Sequence, residues 1–154
     1  MGSVRYKPAG FHTVTPYLVV KNAARAIEFY KQAFEAEELY RHTCAKTKRI
    51  MNAKLCIGDS VVMLNDEFPE HGCVGPSREY PSPVTIHLYV EDVDSVYDRA
   101  IGAGAEPSVR VCDTFWGDRY GQLSDPFGHK WSIATHKEDL TSEEIQKRAE
   151  QAFS

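Results

Sequence analysis

The chain has no C-x-x-C pair. Its four cysteines, Cys44, Cys56, Cys73 and Cys112, stand far apart, which argues against a structural zinc site. No apolar run approaches the ~18 residues of a membrane span. The opening Met1-Gly2-Ser3-Val4-Arg5-Tyr6 has no apolar signal core, and Tyr6 breaks the myristoylation pattern. Positive charge is sparse: the longest basic stretch is Lys46-Thr47-Lys48-Arg49 and the net charge is −4, so no general attraction to polyanions is expected and the stretch reads as a solvated turn. No serine or cysteine has a base at motif spacing, which removes the hydrolase case. The expectation is a cytoplasmic protein with no nucleic-acid or membrane partner and no disulfide. Cys56, in an apolar strand context, is expected to be a small buried hydrophobe.

What the chain does have is a repeat. Val20 answers to Val90, Asn22 to Asp92 and Gly58 to Gly128, all 70 residues apart. A shared offset at separate landmarks implies two copies of one supersecondary unit. Two such units side by side tend to enclose a cleft, where small molecules bind. At 154 residues the chain reads as one domain, long enough to bury about two thirds of its unfolded surface.

Each copy reads as strand, helix and three strands. Module one spans about 13–65. Its helix starts at Asn22, with Ala23, Ala26, Ile27, Tyr30, Ala33 and Phe34 on one stripe. Residues 66–83 hold four prolines and read as a linker, with a place over the pocket as one option. Module two spans about 84–136, with Asp92 capping its helix. A last helix over 141–153 opens on the capping box Thr141 and Glu144.

Strand alternation then assigns faces. Met51, Ala53, Leu55 and Ile57 read as core, leaving Asn52, Lys54 and Cys56 opposite. Ile86 and Leu88 read as helix-covered, leaving Thr85, His87 and Tyr89 opposite. The same argument turns Thr15, Tyr17 and Ser132 toward the cleft, and Gln122 and Arg119 are placed in its lining with them. This lining is polar and aromatic, as a ligand site would be.

The chain resembles the vicinal oxygen chelate superfamily (glyoxalase, bleomycin-resistance and extradiol dioxygenase proteins), and within it the PhnB-like branch. The resemblance rests on Thr15-Pro16-Tyr17-Leu18-Val19-Val20 before Ala26-Ile27-Glu28-Phe29-Tyr30-Lys31, and on Val90-Glu91-Asp92-Val93-Asp94. It rests most on Phe115-Trp116-Gly117-Asp118-Arg119-Tyr120-Gly121 and Asp125-Pro126-Phe127-Gly128-His129-Lys130-Trp131. It implies an α+β fold of two tandem βαβββ modules whose curved mixed sheet surrounds a cleft, with a C-terminal helix, and a homodimer. Relatives hold a divalent ion with His, Gln or Glu at places that fall here on Thr15, Val62, Thr85 and Ser132. None of these is a competent ligand, so no metal or other cofactor is expected at the family position.

Two readings follow. The first is a small-molecule binding protein holding an aromatic or anionic compound with Tyr17, Asn52, Lys54, Tyr89, Trp116, Arg119 and Gln122, where His87 is the candidate acid or base. The second is a metal-dependent glyoxalase-type lyase or isomerase, or a dioxygenase, whose ion has moved to His87 with Asp66 or another residue. His129 and Asp125 are expected to serve the last turn structurally.

Overall fold

The strand and helix patterns become two βαβββ modules in a computed structural model that describes residues 2–154. The first comprises β1 (Tyr17–Val20), α1 (Ala23–Phe34), β2 (Glu37–Thr43), β3 (Ile50–Ile57) and β4 (Ser60–Asp66). The second comprises β5 (Thr85–Tyr89), α2 (Val93–Gly102), β6 (Glu106–Asp113), β7 (Asp118–Ser124) and β8 (Lys130–His136), and α3 (Ser142–Ala152) follows it. The fold is α+β. Each module has its own four-stranded mixed sheet, ordered β1-β4-β3-β2 and β5-β8-β7-β6. No helix among the described residues is long and apolar enough to cross a membrane.

Local chemistry sets the element ends. The side chains of Asn22, Asp92 and Thr141 each accept the backbone N–H three residues on, at 3.2 Å, and so open the three helices. β1 starts at Tyr17, later than the expected Thr13, after Pro16, which has no N–H for a ladder. β3 carries a bulge: Thr43 pairs with Ile50 while His42 pairs with Asn52. The extra residue breaks alternation, so Ile50 is buried and Met51, expected in the core, is exposed.

One core serves both modules. α1 buries Ala23, Ala26, Ile27, Phe29, Tyr30, Ala33 and Phe34, a face roughly 160° wide at about 100° per residue. That is wider than one sheet requires, and the excess packs on module two. Trp131 of β8 lies against Phe34 and Tyr30, with ring centroids 4.8 and 5.3 Å away. Phe127 meets Phe29 edge-on at 6.3 Å. At the centre sits Asp125, 2 % exposed. One of its oxygens accepts from Tyr30 Oη at 2.5 Å and Trp131 Nε1 at 2.8 Å; the other accepts from the N–H groups of Phe127 and His129 at 2.9 and 3.0 Å. This bears out a structural Asp125 and extends its reach to the other module.

The linker straps the seam. It forms one 3-10 turn (Pro69–His71), and then Gly75 passes so close to the Val19 carbonyl that a Cβ would collide. His129 Nε2 lies 3.0 Å from that same carbonyl. Gly128, at φ 91°, leaves no room for a Cβ against Ser77. α3 has no buried residue. It is held through the strand-to-helix segment, where the Lys137 and Glu138 N–H groups both donate to Gly117 O at 2.9 Å.

Candidate functional site

The strongest cluster of chemically capable side chains lies on the outer face of the second sheet. His87 on β5 is flanked edge-on by Tyr89 (4.7 Å between centroids) and stacked by Tyr120 of β7 (6.0 Å). Trp116 closes the row edge-on to Tyr120 at 5.6 Å. Buried polar groups orient these rings. His87 Nδ1 lies 2.5 Å from the Ser132 hydroxyl, leaving Nε2 toward solvent. Asp118, 3 % exposed, accepts from Tyr89 Oη at 3.2 Å and Trp116 Nε1 at 3.1 Å, and lies 2.7 Å from His136 Nδ1. Partial burial and then the Asp118 carboxylate hold the Tyr89 phenol above its usual range, which keeps it a donor. Asp118 and then Asp139 raise the His136 imidazole. Gln122 sits on this face opposite Ser132.

The first sheet's outer face carries a second group. Tyr17, Met63, Lys54 and Tyr40 form one row across β1, β4, β3 and β2. Asn52 Nδ2 donates to Tyr17 Oη at 2.9 Å. Lys54 Nζ lies 5.5 Å from the Phe11 ring centroid and 5.3 Å from that of Tyr40. Cys56 is half-buried on this face with its Sγ 3.3 Å from Gly58 O, in place of the expected fully buried hydrophobe.

These groups do not share one cleft within the chain. α1, α2 and the inner faces of both sheets form a single buried cluster, so both polar faces turn outward. Every hydrogen bond and ring contact of Tyr17, Asn52 and Lys54 stays in module one or the segment just before it, and every one of His87, Tyr89, Trp116 and Gln122 stays in module two. An open groove of about 1490 Å³ runs between the modules beside β5, lined by Pro16, Phe34, Val61, Val62, Ile86 and Leu88 and touching His87 and Tyr89. Arg119 is placed differently from expectation. It points to the helix side of β7, where Asp94 of α2 takes Nε at 2.7 Å and Nη2 at 3.0 Å and Asp113 takes Nη1 at 3.1 Å. That double pairing holds the guanidinium charged and occupied.

Tyr120 and His136 are the site residues that sequence reading missed. Both follow from alternation already in hand, since Tyr120 is two residues before Gln122 and His136 is four after Ser132 on the same face.

The donor set tests the metal. Met63, not Val62, matches Ser132: Tyr17 pairs with Met63 as His87 pairs with Ser132, and Val62 is buried in the core. The family positions thus offer the hydroxyls of Thr15, Thr85 and Ser132 and the thioether of Met63. A hard divalent ion wants carboxylate or imidazole, and these residues do not fit it. Asp66, offered above as a partner for His87, instead faces the core and accepts the N–H groups of Ala23 at 2.7 Å and Ile50 at 2.6 Å. Among the described residues no three His, Cys, Asp or Glu side chains converge as an ion cage.

Paired βαβββ modules of this kind define the glyoxalase class of folds. Residues 10–133 match the family model described as the Glyoxalase/Bleomycin resistance protein/Dioxygenase superfamily, and the chain belongs to that family. The uncharacterized protein Rv0887c of Mycobacterium tuberculosis is 44% identical over 137 residues, covering 86% of this chain and 79% of that one. TioX from Micromonospora sp. ML1 superposes with a TM-score of 0.64 at 26% identity, over 81% of this chain and 98% of TioX. The fosfomycin resistance protein FosX of Listeria monocytogenes, solved with Mn(II) and sulfate, shares the fold at a TM-score of 0.63 and 19% identity, over 90% and 97% of the two chains.

Proposed function

We propose that this chain is a small-molecule binding protein of the bleomycin-resistance kind, in the PhnB-like branch, that holds an aromatic or anionic compound without a metal at the family position. The observation that carries this reading is the ring row His87, Tyr89, Tyr120 and Trp116, in which Ser132 holds His87 and Asp118 holds Tyr89 and Trp116. Rings held this way bind a flat ligand with little ordering cost. His87, with its free Nε2, is the group for acid or base work should the ligand be turned over.

A single chain offers two outward half-sites, which supports a homodimer in which module one of each copy faces module two of the other. β1 and β5 lie at sheet edges, and the wide groove beside β5 leaves space for a second chain.

Elemental analysis of untagged protein purified without chelator is expected to give well under one divalent ion per chain, and Mn(II) is expected to leave Tm unchanged. Aromatic compounds should raise Tm, because a ligand at 100 times its Kd adds about 2.7 kcal/mol. One equivalent of ion per chain, lost in His87→Ala, would instead establish the metal-dependent lyase, isomerase or dioxygenase with a relocated ion.

A further inference from the structure

Lys54 differs from the other free cations of the chain. It stands mid-strand on the outer face of the first sheet, half-buried, and among the described residues no carboxylate pairs with it. Its ammonium group lies 5.5 Å from the Phe11 ring centroid and 5.3 Å from that of Tyr40. Ring faces attract a cation but leave its charge unneutralised and its N–H groups able to donate outward.

Tyr17, on the far side of Met63 in the same row, adds a second donor. Tyr17 Oη accepts from Asn52 Nδ2, so the phenol's own proton is free to point away from the sheet. Asn52 is in turn held by this bond and by Met63 Sδ at 3.9 Å. The face therefore presents an unpaired cation on β3 and a phenol donor on β1, with β4 between their strands. Arg119, the other cation expected to face the cleft, is fully engaged by Asp94 and Asp113. The equivalent row of module two has His87, Ser132 and Gln122 and no permanent cation.

We infer that Lys54 and Tyr17 form an oxyanion subsite on module one, so that the ligand carries a carboxylate, phosphate or phosphonate group read there and an aromatic body read by the rings of module two of the second copy. This inference rests on the binding reading above and names the ligand class it takes. An oxyanion gains charge-assisted bonds from both the ammonium and the phenol, since the acceptor is ionised in each, while the Phe11 and Tyr40 rings lie beside the ammonium.

The test is a titration of the full-length protein with inorganic phosphate at constant ionic strength, followed by NMR of the Asn52 side-chain amide and the Lys54 and Tyr17 backbone amides. The expected result is saturable shifts at these three residues, weakened roughly tenfold in Lys54→Gln and kept within a few-fold in Lys54→Arg, as loss of a charged hydrogen bond predicts. Shifts that fail to saturate, that centre on Lys46 and Lys48, or that persist in Lys54→Gln would overturn the subsite. A parallel titration with benzyl alcohol reads the ring row through His87, Tyr89 and the Trp116 indole. Silence there alongside a phosphate response would count against the aromatic reading while leaving the oxyanion subsite standing.

Discussion

The two modules are built on the same frame and finished with different chemistry. Tyr17, Met63 and Lys54 occupy in module one the places that His87, Ser132 and Gln122 occupy in module two. The first row ends as a cation beside rings; the second as an imidazole on a hydroxyl. The divergence extends to how each module is tied to the body. Module one's β3–β4 turn is the two-residue Gly58-Asp59, and Asp59 is exposed. Module two's β7–β8 turn is longer and drives Asp125 into the core, where it binds α1 of the other module. Duplication supplied two equal scaffolds; one turn became the joint between them, and the outer faces were left to differ in what they bind.

The largest expected effect breaks that joint. Asp125→Ala would strand four donors, two of them side chains in the interior. A cost of roughly 3–5 kcal/mol follows, since each buried donor without an acceptor costs about 1–3 kcal/mol. Tyr30→Phe, which removes only the inter-module bond, should cost about 1.5–3 kcal/mol. Asp59→Ala, at the matching turn of module one, should stay within about 0.5 kcal/mol of the parent. Urea unfolding of the three variants reads this ordering. Equal costs for Asp59→Ala and Asp125→Ala would mean that the two turns are energetically alike and that the joint lies elsewhere.

Legibility in the sequence followed the same division. The elements were readable because period, caps and the repeat agreed: Asn22, Asp92 and Thr141 open the helices they were expected to open. The outward direction of His87, Tyr89, Asn52 and Lys54 came from alternation. Alternation also states that a face is buried without stating against what. The inner faces of both sheets share one core, and the polar faces are therefore not opposed in one chain. The wide face of α1 with Phe29 was the available clue. A constant offset of 70 also failed between landmarks. It is 70 at Tyr17 and His87, 69 at Met63 and Ser132, and 68 at Lys54 and Gln122, so Val62 was assigned where Met63 stands. Insertions and deletions between strands are invisible until hydrogen bonds fix the register. Arg119 was misplaced for a further reason: a salt bridge to α2 draws a charged side chain to the covered side of the sheet, where polarity alone does not put it.

A smaller effect sharpens the comparison at the helix starts. The first N–H of α1 goes to the Asp66 carboxylate, whose other oxygen also holds Ile50 N of β3. The first N–H of α2 goes instead to the Thr135 hydroxyl at 2.9 Å, and that hydroxyl donates to Val90 O. The charged, doubly used acceptor should matter more. Asp66→Ala is expected to cost about 2–3 kcal/mol and Thr135→Val about 1 kcal/mol, both by thermal unfolding. The reverse order would show that charge at this position does not set the strength of the helix start.

The smallest effect concerns a contact that module one has no counterpart for. His136 ends β8 with Nδ1 2.7 Å from Asp118 and Nε2 2.7 Å from Asp139, and thereby links the ring row to the segment that leads into α3. Both contacts are hydrogen bonds at once only when both ring nitrogens carry protons, because a neutral imidazole has a single N–H. Asp118 and then Asp139 raise the folded-state pKa of the group, with Glu138 and Arg148 paired to each other close by. A raised histidine pKa contributes stability that is complete below the unfolded-state value and is lost as pH rises through the folded-state value. Raising pH through and above the usual imidazole range should therefore release one of the two carboxylates. Asp118 is buried and also accepts from Tyr89 and Trp116, whereas Asp139 is 99% exposed on its side chain, so the Asp139 contact is the one that goes. Hydrogen exchange at the Lys137 and Glu138 amides, corrected for the intrinsic pH dependence, should accelerate over that interval, while the Trp116 indole signal stays in place. His136→Gln should remove the pH step. A His136 titration at or below the ordinary imidazole value would show that the two carboxylates do not act on the ring together, and the link between the second module's face and the tail would then rest on the backbone hydrogen bonds to Gly117 O.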